Sequence, residues 1–213
     1  MTNQEKVRAV IFDFDGTITK PYLDFRRIKA EIGLPADEIY LLERIEEMPQ
    51  DQRTRAMSIL ERYETEAVTY SVLNDGVREV LDFLQRRGIK TALLSRNSTH
   101  SLEESCRKHG LSFELLVTRD IAPVKPKPDG IIYASRKLGI PLNQIIMVGD
   151  YQFDIMAGKN AGVHTVLLTN RFASLTTSGN IPQWDIKSDF IIHRLVELID
   201  PNGSLWDLIG NEN

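Results

Sequence analysis

Two hydrophobic patterns take turns along this chain. Short, mostly apolar runs at residues 7–12, 89–94, 113–117, 144–148 and 163–168 have the length and branched-chain content of strands buried on both faces. Residues 189–192 offer a further, final strand. Between these runs apolar residues recur every three or four positions. Asn74 or Asp75 can cap a helix that turns Val77, Val80, Leu81 and Leu84 inward and stops at Gly88. Ser98 opens another, with Leu102, Cys106 and His109 on one face and Gly110 at its end. Pro128 suits the first position of a helix ending at Gly139; further helices are predicted over about 154–160 and up to Leu198. Strands alternating with helices predict a parallel sheet covered on both faces.

Residues 18–73 interrupt this order and read as helix throughout. The first helix carries Phe25, Ile28 and Ile32 and closes at Gly33. The second runs from about Asp37 with Ile39, Leu42 and Ile45 until Pro49. The third places Ala56, Leu60, Tyr63, Ala67 and Tyr70 on one stripe. Narrow apolar stripes among many charges suit a small helical insert lying over something larger. Trp184 and Trp206 read as packing residues in a less regular tail, and Cys106 and His109 as packing residues too, with no third ligand near them in sequence.

Composition narrows the class. At 213 residues and 42% hydrophobic, the chain has room for one large domain, or one with an insertion. A formal charge of −4 gives no electrostatic case for nucleic acid. A single cysteine forms no internal disulfide, no apolar run reaches the roughly 18 residues of a membrane span, and the N-terminus has no secretory pattern. The expectation is a cytoplasmic protein with no membrane partner.

Chemistry gathers where the strands end. Asp13 and Asp15 follow the first run, with Gly16 and Thr17 behind them; Ser95, Arg96 and Asn97 follow the second; Asp150 follows the fourth, with Asp154 four residues on. Lys125 precedes a helix in the run Lys125, Pro126, Lys127, Pro128, in which Lys127 is expected to face solvent. In a parallel sheet these ends share one edge, where open α/β sheets place ligands. Three carboxylates, a hydroxyl and an ammonium together suit Mg²⁺ and a phosphate, and the amides of the turn at 14–17 can form an anion nest. No glycine-rich loop for ATP or a dinucleotide is present.

The set Asp13-Phe14-Asp15-Gly16-Thr17, Ser95, Lys125-Pro126-Lys127-Pro128 and Gly149-Asp150-Tyr151-Gln152-Phe153-Asp154 resembles the four motifs of haloacid dehalogenase superfamily phosphohydrolases, over about residues 7–170. The helical insert and the Lys-Pro-x-Pro form resemble the phosphoglycolate-phosphatase-like branch, with a C1-type cap. The resemblance implies a three-layer, Rossmann-like α/β core of residues 1–19 and 74–213, with a parallel sheet ordered 5-4-1-2-3. It implies an all-helical cap of residues 20–73 inserted after the first strand. It also implies a Mg²⁺-dependent phosphatase that hydrolyses a small phosphorylated metabolite through an aspartyl phosphate. In that scheme Asp13 is the nucleophile and Asp15 the acid and base. Asp13, Asp15 (through its carbonyl) and Asp150 hold the metal. Ser95, Arg96, Asn97, Lys125, Gly16 and Thr17 surround the phosphate, and Asp154 orders the metal shell or Lys125. Lys20, Arg26 and Arg27, next to the first connection of the insert, are the expected contacts to a charged leaving group.

Two alternatives stand beside the phosphatase. A phosphosugar mutase of the same fold would yield an isomer in place of free phosphate. A non-catalytic binding protein on this fold would be expected to lack one or more motif residues.

Overall fold

In the computed structural model, which describes residues 6–170 and 184–209, the first apolar run forms β1 (Ala9–Phe12), buried at every position. Side chains alternate across a strand. Val10 and Phe12 therefore enter one core and Ala9 and Ile11 another. β2 (Lys90–Leu94) divides likewise, with Leu93 on the first side and Ala92 and Leu94 on the second; so does β4 (Ile145–Gly149), with Ile146 and Val148 opposite Ile145 and Met147. That two-sided burial is why these runs read as continuously apolar.

Helices cover both faces. On the first side lie α4 (Val77–Arg86) and α5 (Thr99–His109), joined by Leu195, Leu198 and Leu205 from the C-terminal stretch. On the second lie α6 (Asp129–Leu138) and α7 (Gln152–Ala161). With β3 (Leu115–Val117), β5 (His164–Leu168) and β6 (Phe190–Ile192), all strand pairs are parallel and the order is β3-β2-β1-β4-β5-β6. The expected order 5-4-1-2-3 is thus extended by a sixth strand. β6 docks because Asp189 accepts from the amide and hydroxyl of Thr165 at 2.9 Å each and pairs with Lys159. After β6 the chain makes a 3₁₀ turn at Leu195–Ile199 in place of the expected helix, then the short α8 (Trp206–Ile209). Residues 1–5, 171–183 and 210–213, which the expected core range also takes in, lie outside the described residues.

The interruption holds three helices, α1 (Phe25–Ile32), α2 (Leu41–Glu46) and α3 (Gln50–Tyr70), around their own cluster of Ile28, Leu41, Leu42, Ile45, Leu60 and Tyr63. Two details differ from the pattern. Residues 37–40 are not helical: the Glu38 carboxylate accepts from the Tyr40 amide at 2.8 Å, and Tyr40 stacks on Phe153 with ring centres 5.3 Å apart. Tyr70 leaves the buried stripe, 60% exposed, and stacks on Tyr22. Both ends of the insert run side by side, bridged at Thr19 and Leu73, with the Lys20 amide donating to Val72 O at 2.8 Å.

Asn74 does not cap α4, whose N-cap is Gly76 with φ +83°. Its buried side-chain amide donates instead to the carbonyls of Gly16, Thr17 and Thr19 at 2.9, 2.8 and 3.1 Å. Cys106 and His109 are packing residues as expected. Burial pushes the Cys106 thiol up to about 11, and His109 Nε2 bonds the Ser71 hydroxyl at 2.8 Å. Trp206 packs on Phe83 and Trp184 meets the edge of Tyr151.

Candidate active site

β1 ends where the Asp13 amide donates to Val148 O, and the chain then turns so that Phe14 O accepts from the amides of Ile18 and Thr19. This turn needs glycine twice over. Gly16 has φ +95°, and a Cβ there would stand 2.1 Å from Asp150 Oδ2. The β4 turn is equally close: a Cβ on Gly149 would stand 2.2 Å from Asp154 Cγ. Glycine at 16 lets the Asp150 carboxylate nestle against the turn after β1, and glycine at 149 lets the Asp154 carboxylate fold back against the end of β4.

The parallel sheet brings the expected residues to one cavity of about 280 Å³. Its floor carries Asp13 and Asp15 from β1, Ser95 and Asn97 from β2, and Asp150 and Asp154 from β4 and α7. Lys125, 3% exposed, links the two sides: its Nζ donates to Asp13 Oδ1 at 2.5 Å and to Asp154 Oδ1 at 2.6 Å. Asp154 Oδ2 also accepts from the Tyr151 amide at 3.0 Å, so Asp154 positions Lys125 and the start of α7 together. Asn97, whose amide donates to Ser95 Oγ at 3.1 Å, gives a side-chain hydrogen bond of 2.6 Å to Asp15 Oδ2.

Other expected contacts fall elsewhere. Gly16 and Thr17 sit behind the floor and do not line the cavity; Thr17 Oγ1 is buried with no hydrogen-bond partner among the described residues. Arg96 lines the cavity but is already engaged. It forks onto Glu43 Oε2 and Oε1 at 2.8 and 3.1 Å, donates to Lys125 O, and lies 4.9 Å over the Phe153 ring. Arg26 and Arg27 are exposed and do not line the cavity, and Lys20 pairs with Asp75 outside it. Because Ile28 and Lys29 take the inward face of α1, the arginines turn outward. Lys127 is exposed, as expected.

Sequence reasoning missed Asn74, which ties the turn after β1, and Glu64 on α3. Glu64 is buried, accepts two hydrogen bonds from Arg119 and one from the Ser98 hydroxyl at 3.0 Å, and so joins the insert to the sheet edge. A glutamate on the apolar stripe of α3 was the one available signal.

Electrostatics fit a cation. Burial raises the Asp13 carboxyl, Lys125 lowers it, and Asp154 and Asp150 raise it again, leaving it well above the usual carboxylate range. Burial lowers the Lys125 ammonium, but Asp13 and Asp154 more than offset this and hold it above its ordinary value. Asp13, Asp150 and Asp154 can each turn a ligand atom to within 4.8 Å of the others. Three buried carboxylates against one ammonium leave negative charge that a hard divalent cation would neutralise, and oxygen donors are what Mg²⁺ takes. The Asp15 side chain does not belong to this group; its expected metal contact is through the backbone carbonyl. Burial raises its carboxyl to about 6, against the lowering by Asn97 and with Glu64 adding to the rise.

Residues 7–162 match the family model of haloacid dehalogenase-like hydrolases. Over 210 residues the chain is 31% identical to a haloacid dehalogenase-like hydrolase domain-containing protein of Arabidopsis thaliana, a match covering 90% of this chain and 84% of that one. It is 26% identical to the N-acetylmuramic acid 6-phosphate phosphatase of Pseudomonas putida, over 91% of this chain and 95% of that one. Among solved structures, that of a predicted phosphoglycolate phosphatase from Haemophilus somnus aligns with a TM-score of 0.67 at 23% identity, covering 93% of this chain and 98% of that one. At that identity the likeness shows the fold.

Proposed function

The chain belongs to the haloacid dehalogenase-like hydrolase family, and from that premise we propose that it is a Mg²⁺-dependent phosphatase acting on a small phosphate monoester through an aspartyl phosphate at Asp13. The observation that carries this reading is the pair of hydrogen bonds by which buried Lys125 fixes Asp13 and Asp154 beside Asp15 in one cavity.

Lys125 holds Asp13 Oδ1, so Oδ2 attacks phosphorus, and the phosphorus–oxygen bond to the leaving group breaks. The leaving oxygen takes its proton from Asp15, whose raised carboxyl suits a donor near neutral pH. Water then attacks the aspartyl phosphate, Asp15 takes the water's proton, and phosphate departs with Asp13 regenerated. Ser95 and Asn97, which line the cavity, would donate to the phosphoryl oxygens, and Asn97 also orients Asp15. Held by Asp13, Asp150 and the Asp15 carbonyl, Mg²⁺ would offset the repulsion between the anionic nucleophile and the anionic ester. The three insert helices act as a cap (residues 20–73) on the core (1–19 and 74–213), with the paired strands of chain at Thr19 and Leu73 as its hinge.

The role of Asp15 has its own test. Asp15→Asn should reduce kcat/KM for alkyl phosphates, which reads the step in which the leaving group departs, by about 10²–10⁴-fold, and kcat/KM for 4-nitrophenyl phosphate much less, since a good leaving group needs little protonation. The donor must be protonated, so wild-type kcat/KM should fall as pH rises above about 6, and this limb should be missing in the variant. Equal losses of kcat/KM on both esters would remove Asp15 from protonation of the leaving group.

Metal binding is read without turnover. Mg²⁺ at about 100 times its Kd should stabilise the wild type by about 2.7 kcal/mol. The shift in Tm, measured by thermal melting with Mg²⁺ and with chelator, should shrink in Asp150→Asn. An unchanged shift would place the metal elsewhere. Free phosphate is the product expected from a panel of phosphorylated metabolites; isomer formation without phosphate release would favour the mutase.

A further inference from the structure

The cavity has a second half, built largely by the insert, and its chemistry differs from that of the floor. Leu23, Phe25, Ile39, Leu42 and Leu60 line it from the insert, and Phe153 faces them from α7. Phe25 and Ile39 remain 47% and 45% exposed, so apolar surface continues to the rim. Tyr40 stacked on Phe153, with Tyr151 edge-on at 5.2 Å, extends it as an aromatic wall.

The charged groups of this half are engaged within the protein. Arg96 is forked onto Glu43, and Glu64 is held by Arg119 and Ser98. Glu38 accepts from the Tyr40 amide and lies 3.4 Å from Arg44, and the Lys29 ammonium donates to the carbonyls of Ala36 and Glu38. Among the described residues the insert presents no serine, threonine, asparagine, glutamine or histidine to the cavity. A sugar leaving group would find few hydroxyl partners there. A carboxylate or second phosphate would find only the third N–H of Lys29, whose other two are tied to carbonyls, or would have to displace Arg96 from Glu43.

We infer that the leaving group is an uncharged, largely apolar alcohol or phenol, seated against Phe25, Ile39, Leu42, Leu60 and Phe153 while its phosphate lies on the floor. This deepens the phosphatase reading and rests on it. The substrate class is then a monophosphate ester with one ionised group, its own phosphate, and an apolar body large enough to reach the insert.

Three esters with similar leaving oxygens separate the possibilities: ethyl phosphate, hexyl phosphate, and hexyl phosphate carrying a terminal carboxylate. With Mg²⁺ present and phosphate release measured, kcat/KM for the hexyl ester should exceed both others by about tenfold or more, mainly through KM. Phe25→Ala should narrow the gap between the hexyl and ethyl esters. Preference for the carboxylated ester would overturn the inference and make Lys29 or Arg96 an anion contact. Equal values for ethyl and hexyl phosphate would overturn it as well, by showing that the apolar half is not used. Phosphate release from none of the three, nor from 4-nitrophenyl phosphate, by folded protein would overturn the phosphatase reading itself.

Discussion

Asp13→Asn is expected to yield a folded protein whose turnover is lower by at least about 10⁴-fold, because an amide cannot take the phosphoryl group. The fold should survive for a reason visible at the site. The substitution removes one charge of the Lys125 pair, but it also removes the repulsion that Asp150 and Asp154 exert on Asp13. Steady-state phosphate release and thermal melting on the same sample check both halves. Turnover near the wild-type level would mean that Asp13 is not the nucleophile.

Lys125→Met carries the largest expected effect on stability. It leaves Asp13 and Asp154 buried with no ammonium between them, a change of the kind that costs about 3–5 kcal/mol. For a chain of this size that corresponds to a fall in Tm of about 10 °C. The sign with pH is definite. Asp13, already raised in the wild type, rises further once the lowering by Lys125 is lost, so the deficit is greatest at high pH and shrinks as acid protonates it. Excess Mg²⁺ should return part of the loss by supplying positive charge to the same carboxylates, while turnover stays low. A melting curve unaltered at neutral pH would show that the ammonium does not neutralise the pair.

How much of this was legible follows from what each feature depends on. Strand ends are local: an apolar run that stops in Asp13 or Asp150 announces its carboxylate, and a parallel sheet must bring those ends to one edge. The helix stops at Gly33 and Gly110 were legible for the same reason, since a left-handed residue is a property of one position. Pairings across sequence were not. Nothing near Asn74 signals that it ties a turn more than fifty residues away, nor does Asn97 announce its bond to Asp15. Arg26 and Arg27 were misplaced because nearness to the hinge in sequence says nothing about which face of α1 turns inward. The buried Ile28 and the tie from Lys29 to Ala36 and Glu38 decide that. The sixth strand was legible as a run at 189–192, but its place beside β5 depends on Asp189 meeting Thr165 and Lys159, again a contact between separate segments.

The covalent step at Asp13 is tested most directly by acid-quenched single turnover with an ester labelled in its phosphorus. The account predicts that the label appears transiently on the protein, is released by hydroxylamine as an acyl phosphate, and maps to the peptide containing Asp13. Phosphate released at the full rate with no label ever on the protein would contradict it.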